Sequence, residues 1–404
     1  MAKERGPLRI LVALTYYSPH ISGLTVYAQR VVRAMVERGH DVTVLTSHYD
    51  HSLPREEMID GARIVRVPVL FRFSKGVFMP TLPWHAAQLA LSHDIVYLHT
   101  PQFEAFITAA IAKVARRPIV TSHQCDILLP NRLLRALFWL PIAFTHRISA
   151  TLSSQIVTLS KDYADNSRYL SHWGHKVLAI YPPIPDLQPD PRNPLNLREK
   201  YNLNGHRLIG FVGRIAEDKG VRYLIDAIPR VLERFPGTRF LFVGEQEKVV
   251  GEKTYERLRP QIEQMGEHIQ FLGVLPNAQL AEFYKECDLL VLPSINSTEA
   301  FGMVQVEAML KGCPVVTTDL PGVRIAVKST GMGEIVPPKD AEALAAAITR
   351  VLANRKRYVK SQEKVKRVFN PANAYDFYED LFFAEVGMPL PPFPVEEPLE
   401  QLAA

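Results

Sequence analysis

Cysteine is scarce. Three residues, Cys125, Cys287 and Cys313, lie far apart and none falls in a C-x-x-C. That argues against a disulfide framework or a zinc site and fits a reducing compartment. Long apolar runs are missing as well. The N-terminus, MAKERGPLRILVALTYY, is charged and then apolar over a stretch too short to span a bilayer, with no signal-cleavage pattern after it. It is read as the first strand of a cytoplasmic protein. Neither extreme hydrophobicity nor extreme charge is present: 47% hydrophobic and 22% charged residues are ordinary for a globular chain. At 404 residues, one core is not enough, and two domains are expected.

Charge is unevenly placed. Residues 1–185 hold 20 Lys+Arg against 12 Asp+Glu, a balance of +8, and the remainder carries 27 against 30, which together give the overall +5. A basic first half suits an anionic partner or is simply a solvated basic surface. Nucleic acid is not expected as that partner. The sequence shows no interleaved aromatic-basic stacking platform and no recognised module.

Apolar periodicity alternates between strand and helix along the chain. Arg9–Tyr16 reads as a strand, Ser22-Gly23 as a turn, Val26–Glu37 as a helix stopping at Gly39, and Val42–Thr46 as the next strand. This is a β-α-β unit. Further strands are expected at Ile64–Val67, Ile95–His99, Ile119–His123, Ile156–Leu159 and Val177–Tyr181. Six prolines in residues 182–196 exclude a helix or central strand there and mark a linker. The alternation then resumes, with strands at Leu208–Val212, Arg239–Val243, Ile269–Leu272, Leu289–Leu292 and Val315–Thr318. Helices fall at Val221–Arg234, Tyr255–Met265, Ala278–Lys285, Gly302–Leu310 and Ala341–Ala353. The pattern predicts an α/β protein of two doubly wound parallel sheets, with ligands beyond the carboxyl ends of the strands in a central cleft. Residues beyond Pro389 are Pro- and Glu-rich and are expected to form a disordered tail.

Two constellations carry chemistry. Gly213-Arg214-Ile215-Ala216-Glu217-Asp218-Lys219-Gly220 follows a strand and opens a helix. Free N–H groups at a helix start, an arginine fork and a lysine suit a diphosphate; an ordinary charged loop fits the stretch equally well when it is read alone. The second runs from Glu299-Ala300-Phe301-Gly302-Met303-Val304 to Glu307 and continues Ala308-Met309-Leu310-Lys311-Gly312-Cys313-Pro314-Val315-Val316. Glu299 stands in the loop and Glu307 about two turns into the helix, where a carboxylate can accept hydrogen bonds from ribose hydroxyls. The alternative is a glutamate on a solvated helix face.

Taken in order, G-R-x4-K-G, E-x7-E enclosing F-G, A-M-x-x-G-x-P-V-V, the Ser-Gly turn near residue 22, R-G-H-x-V-x-V-L-T from Arg38 to Thr46 and Pro293-Ser294 resemble the retaining nucleotide-sugar glycosyltransferases of the GT-B fold, glycosyltransferase family 4 (glycosyl transferases group 1), over residues 8–385. The resemblance implies an N-terminal Rossmann-like acceptor-side domain (1–183), a Pro-rich linker (184–196), a C-terminal Rossmann-like nucleotide-sugar-binding domain (197–369), a helix crossing back to the N-domain (370–387) and a tail (388–404). Arg214 and Lys219 would hold the donor diphosphate and stabilise its growing charge. Gly23 would let backbone approach the phosphate, and Glu307 would bind the ribose. Glu299 would contact the donor sugar beside the Phe301, Gly302, Met303 and Val304 amides. Gly244 and Gly273 would lie near base and ribose, and His123 near the reacting sugar.

Two departures stand out: Gly244-Glu245-Gln246-Glu247 replaces a usual G-x-G, and Ser22-Gly23 replaces two glycines. No Asp-x-Asp occurs anywhere, so no metal and no other cofactor is expected, and the cations take the part of a divalent ion. The implied reaction is retaining transfer of a hexose-type sugar from a UDP- or GDP-sugar to a hydroxyl acceptor. Asp126 is the one acid near His123 that a double displacement could use. Two cationic-apolar segments, 131–147 (with Arg132, Arg135, Leu137, Phe138 and Trp139) and 71–79 (with Phe71, Arg72, Lys75 and Phe78), add the expectation of a lipid or lipid-linked acceptor at the inner membrane face. Pro141 is expected to interrupt or kink the first segment.

Overall fold

The computed structural model describes residues 6–73, 76–127, 132–246 and 253–388. Contacts divide the chain into two compact units. One comprises the chain up to Pro183 together with the segment from Pro371, and the other comprises Ile184–Asn370.

The first unit is built on an eight-stranded sheet. Its strands are β1 (Arg9–Ala13), β2 (Asp41–His48), β3 (Glu56–Ile59), β4 (Ala62–Pro68), β7 (Ile95–Thr100), β8 (Ile119–His123), β9 (Gln155–Thr158) and β10 (Val177–Ala179). They lie in the order β10-β9-β8-β7-β1-β2-β4-β3, all parallel except the antiparallel edge pair β3–β4. The residues of β1, β2, β7 and β8 are buried with few exceptions, as strands covered on both faces must be; β1 and β7 are mostly apolar, while β2 and β8 also bury Thr, Ser and His side chains. The helix Gly23–Glu37 starts on Ser22, whose hydroxyl accepts from Thr25 N at 3.2 Å, and buries Tyr27, Ala28, Val31, Val32 and Met35. A separate hairpin, β5 (Phe71–Phe73) and β6 (Gly76–Phe78), follows β4; nothing in the local pattern announced it, nor the edge strand β3.

The helix Pro371–Glu385 belongs to this unit. Tyr378 and Tyr27 share a buried hydroxyl–hydroxyl bond of 2.5 Å, and Arg38 donates to Asp376 at 2.5 Å and also pairs with Glu379. Phe377, Tyr378, Leu381, Phe382 and Phe383 are buried.

The second unit has a six-stranded, wholly parallel sheet: β11 (Arg207–Val212), β12 (Thr238–Val243), β13 (Ile269–Gly273), β14 (Leu289–Leu292), β15 (Val315–Thr318) and β16 (Gly333–Val336). The order is β13-β12-β11-β14-β15-β16. β16 was not expected; at four residues, with Gly333, Glu334 and Ile335 partly exposed and Val336 buried, it carries little strand signal. Ile209, Phe211, Ile225, Ile228, Phe240, Leu289, Val316 and Ile348 belong to its core. Residues 181–196 form neither helix nor strand, as their prolines require. From Ile184 onward they belong to this unit: Asp186 accepts from Lys311 at 2.6 Å, Lys366 at 3.0 Å and Gln362 at 2.9 Å, and Ile184 and Leu195 are buried.

One expectation fails in part: Pro141 does not interrupt its helix. The helix Arg132–Leu152 runs unbroken through Pro141. Pro229 and Pro260 also sit inside helices. All three are exposed, so water can satisfy the carbonyl that each missing N–H leaves without a partner.

Candidate active site

In the second sheet the strand order reverses between β11 and β14. Connections from β11 run outward to β12 and β13, and those from β14 run the other way to β15 and β16. At such a reversal the loops leave the carboxyl edge in opposite directions and open a crevice. Both sequence constellations sit on the two loops that flank it.

After β11, Gly213 and Arg214 lead into a single 3-10 turn, Glu217–Lys219, and the helix Val221–Arg234 begins on Gly220. Gly220 has φ +65, and a Cβ there would lie 1.9 Å from the Pro293 carbonyl oxygen. Only glycine lets this turn press against the loop that follows β14. Gly244, after β12, meets Gly213 in the same way, with a Cβ 2.2 Å from its carbonyl oxygen, and donates to Gly273 O at 2.8 Å. Gly213, Gly244, Gly273 and Ser294 therefore line one edge of the sheet.

The two loops are stitched together. Ile295 N donates to Asp218 O at 3.0 Å, and the Lys219 ammonium pairs directly with the Glu299 carboxylate. The buried Ser294 hydroxyl donates to the same carboxylate oxygen at 3.4 Å. Burial by itself would lower the Lys219 pKa, but the Glu299 and Asp218 carboxylates outweigh it and hold it above the ordinary lysine value. Lys219 is thus a fixed cation. Arg214 is half-buried and its side chain makes no hydrogen bond or ion pair among the described residues, which leaves its fork available to an anion.

The helix Met303–Leu310 starts on Gly302, in the left-handed region at φ +76. Phe301 is buried against Phe369. Gln305 pins the start by donating to Phe301 O at 3.0 Å and Val323 O at 2.9 Å. Glu307 is the fifth residue of this helix, so it lies little more than one turn in, not two. It is buried and accepts the Tyr284 hydroxyl at 3.0 Å, which removes the solvated-face alternative.

Residues 195–368 match the family described as Glycosyl transferases group 1, and residues 22–183 match the Glycosyl transferase 4-like domain. The chain belongs to glycosyltransferase family 4. It is 28% identical to the phosphatidyl-myo-inositol mannosyltransferase of Mycobacterium leprae, over 89% of this chain and 92% of that one. It is 26% identical to the GDP-mannose-dependent alpha-(1-6)-phosphatidylinositol monomannoside mannosyltransferase of Mycolicibacterium smegmatis, over 86% and 90%. Among solved structures, HepE of Anabaena in complex with UDP and glucose superposes with a TM-score of 0.72 at 21% identity, over 93% of this chain and all of that one. The fold is GT-B, and the protein is a glycosyltransferase.

The first unit carries the remaining expected residues of this glycosyltransferase. Gly23 is exposed at the first position of the helix Gly23–Glu37, and a Cβ there would meet nothing within 4 Å. His123 ends β8 but is 1% exposed. Its Nε2 lies 3.3 Å from Asp126 Oδ1, its Nδ1 3.1 Å from the Thr100 hydroxyl, and its ring 4.7 Å from that of Tyr169. Contact between this imidazole and a sugar requires an exchange of those bonds. Burial pushes the Asp126 carboxyl up, but hydrogen bonds from His123 and Ser167 outweigh it and hold it below the usual carboxylate value. Asp126 is therefore a committed partner of His123.

Sequence reasoning missed Asp218, Ser294 and Tyr284 as site residues. Asp218 and Ser294 stood inside motifs already in view, while Tyr284 has no local signal, since only the fold brings it to Glu307. Of the two cationic-apolar segments, Asn131, Ser74 and Lys75 lie outside the described residues, as do the side chains of 132–139. The tail from 389 onward also lies outside them.

Proposed function

We propose that this glycosyltransferase moves a hexose, with retention and without a metal ion, from a nucleoside-diphosphate sugar to a hydroxyl of a membrane lipid or lipid-linked glycan. The observation that carries the reading is the meeting of Lys219 with Glu299 across the strand-order reversal, with Arg214 on the same loop and Glu307 on the adjoining helix. Arg214 and Lys219 bind the diphosphate. Glu299 receives the sugar hydroxyls, and Glu307 the ribose. As the anomeric C–O bond to phosphate breaks, charge builds on the leaving oxygen, and two cations already in position stabilise it without reorganising. The acceptor oxygen attacks the same face and its proton passes to the leaving phosphate. The activities in the names of the relatives favour GDP-mannose over UDP-sugars as donor and an inositol lipid as acceptor.

Membrane contact is supported by where apolar side chains are exposed. Leu70, Phe71, Phe78, Trp84, Leu140 and Phe144 all lie on the first unit and are between 47% and 75% exposed, on the half of the chain with the +8 balance. Leu140 and Phe144 are one turn apart on the helix Arg132–Leu152, with Arg147 exposed one turn further. Among the described residues no helix is long and apolar enough to cross a membrane, so the proposed contact is peripheral, at the inner face.

A thermal-shift screen across UDP-, GDP- and ADP-sugars tests the donor site, because a ligand bound only by the folded state raises the melting temperature. No shift with any of them would sink the proposal. NMR of the product's anomeric configuration tests retention, and transfer in excess EDTA tests metal independence. Flotation with anionic vesicles at low and high salt tests the membrane contact.

A further inference from the structure

Glu307 is held by a residue that lies outside both sequence constellations. The helix Asn277–Glu286 precedes β14 and the helix Met303–Leu310 follows it, and the two pack against each other. Tyr284 on the first is fully buried and Glu307 on the second is 7% exposed. The Tyr284 hydroxyl donates to Glu307 Oε2 at 3.0 Å, across 23 residues of sequence.

The donor of that bond has a fixed seat. Phe283 precedes Tyr284, and Cys287 caps the same helix one turn further on. Both press on Gly210 in the middle of β11, where a Cβ would lie 2.9 Å from the Phe283 ring and 2.9 Å from the Cys287 sulfur. The absence of a side chain at Gly210 lets the helix sit close to the sheet, and any slide of the helix would run into both groups. A glutamate side chain, by contrast, has several free rotors, and ordering it costs conformational entropy. Holding one oxygen of a planar carboxylate sets the direction of the other. A carboxylate oriented before the ligand arrives does not have to be ordered out of the binding free energy. A buried tyrosine hydroxyl also needs an acceptor for its own sake. The two roles separate by which ligand feels the loss of the hydroxyl.

We propose that Tyr284 is a positioning residue for the donor ribose: by holding Glu307 Oε2 it presets the carboxylate for a ribose hydroxyl, and so makes the enzyme select ribonucleotide over deoxyribonucleotide sugars. The inference rests on the assignment of Glu307 to the ribose. A pinned carboxylate pairs with a hydroxyl that is present and cannot turn away where it is missing, so a deoxynucleotide leaves a buried acceptor unpaired. Released from Tyr284, Glu307 gains rotamers, binds a ribose hydroxyl less well and tolerates its absence better. Selection against the missing hydroxyl therefore lies in the pair rather than in Glu307 alone.

Calorimetry on the full chain with GDP and with 2′,3′-dideoxy-GDP, which lacks both ribose hydroxyls, tests it. Wild type binds GDP about 10–100-fold more tightly than the dideoxy nucleotide, the range for hydrogen bonds to a charged group. Y284F keeps the ring and removes only the hydroxyl, and a melting curve checks that it is folded. It weakens GDP by about 3–10-fold, the range for ordering one side chain on binding, and leaves the dideoxy nucleotide unchanged, so the ratio narrows. With GDP-mannose as donor, Y284F raises KM by the same factor and leaves kcat within about twofold, because a ribose contact is made equally in the ground and transition states. Equal weakening of both nucleotides by Y284F overturns the inference and leaves Tyr284 as a support of the fold. Y284F that binds GDP like wild type overturns it as well, while the ribose assignment stands if E307Q weakens GDP. E307Q that binds GDP like wild type overturns the ribose assignment itself, and the role of Tyr284 with it.

Discussion

The Lys219–Glu299 pair carries two quantities that can be separated by experiment. Both side chains are mostly buried, 19% and 15% exposed. At about 4 Å and an effective dielectric of about 20, unit charges interact by roughly 4 kcal/mol. Removing one partner of a buried pair therefore costs about 1–3 kcal/mol here, below the 3–5 typical of fully buried pairs, and lowers the melting temperature by roughly 5 °C. K219M and E299Q should each show this loss. The double variant should be less destabilised than the sum, because no charge is left without its partner, with an interaction term of about 1–3 kcal/mol. Catalysis should behave differently. If Lys219 faces the charge that grows on the leaving phosphate, as proposed, K219M should lower kcat by about 10²–10³-fold. E299Q loses sugar contacts, and the double variant should recover none of the activity. Urea or thermal melts give the first set, and initial rates with GDP-mannose and phosphatidylinositol vesicles give the second. If the double variant regained activity along with stability, the pair would be a structural strut and the catalytic assignment would fall. Near-normal turnover in both single variants would refute it just as directly.

Acid should weaken the first unit. Burial lowers His99 to about 3 and, with the neighbouring His123, lowers His146 to about 4. Between those values and about 6.5 the unfolded chain binds protons that the folded chain refuses, so stability is complete above about pH 6.5 and is lost as pH falls. Among the described residues His99 has no hydrogen-bond partner at either nitrogen, so H99F should flatten the drop in melting temperature between pH 7 and pH 5; an unchanged slope would exclude His99 as its source. G220A should cost more than about 1 kcal/mol and weaken nucleotide-sugar binding, since its methyl meets the Pro293 carbonyl and its φ is positive; a melt and a donor titration check both. E307Q should keep the bond from Tyr284 but weaken free GDP binding by about tenfold, read by calorimetry, as expected when a charged acceptor for ribose becomes neutral.

Much of the geometry of the Arg214–Lys219 and Glu299–Glu307 loops was legible because it is local. Within eight residues, G-R-x4-K-G specifies a strand exit, a tight turn against Pro293 and a helix start, and each step needs a residue type visible in the string. E-x7-E likewise spans one loop and one helix. What the string could not show is contact at long separation: Tyr284 under Glu307, Asp126 on His123, and Glu104 tied to Val77. His123 makes the point sharply. The motif context selects it as a sugar contact, whereas its neighbours Thr100 and Asp126 satisfy both ring nitrogens. The expected interruption at Pro141 fails for a related reason. The rule that proline breaks a helix assumes a freed carbonyl that must be satisfied by protein, and at an exposed position solvent removes that assumption.

The two units follow one construction rule with different fillings, and that difference explains their unequal legibility. Each sheet reverses strand order once, and each reversal has a loop from either side carrying polar groups. In the second unit the groups are oppositely charged and meet each other, so the sequence needs fixed glycines and fixed charges to make the loops fit. A diphosphate offers one chemistry and accepts few solutions. In the first unit the groups are the rings of Tyr16, His20 and Tyr49, the exposed Arg72 and the buried Glu104, supplied from separate strands and a hairpin that local periodicity does not reveal. Groups drawn from separate strands and a hairpin are not bound to a fixed spacing. If this division holds, exchanging the loops of the first unit changes which acceptor is used while nucleotide-sugar affinity stays put, and no exchange at Arg214 or Lys219 alters acceptor choice without first losing the donor. Competition between phosphorylated and neutral polyols, measured at saturating donor, reads that asymmetry directly. Equal sensitivity of both preferences to both loops would mean that the division of labour drawn from the two reversals is wrong.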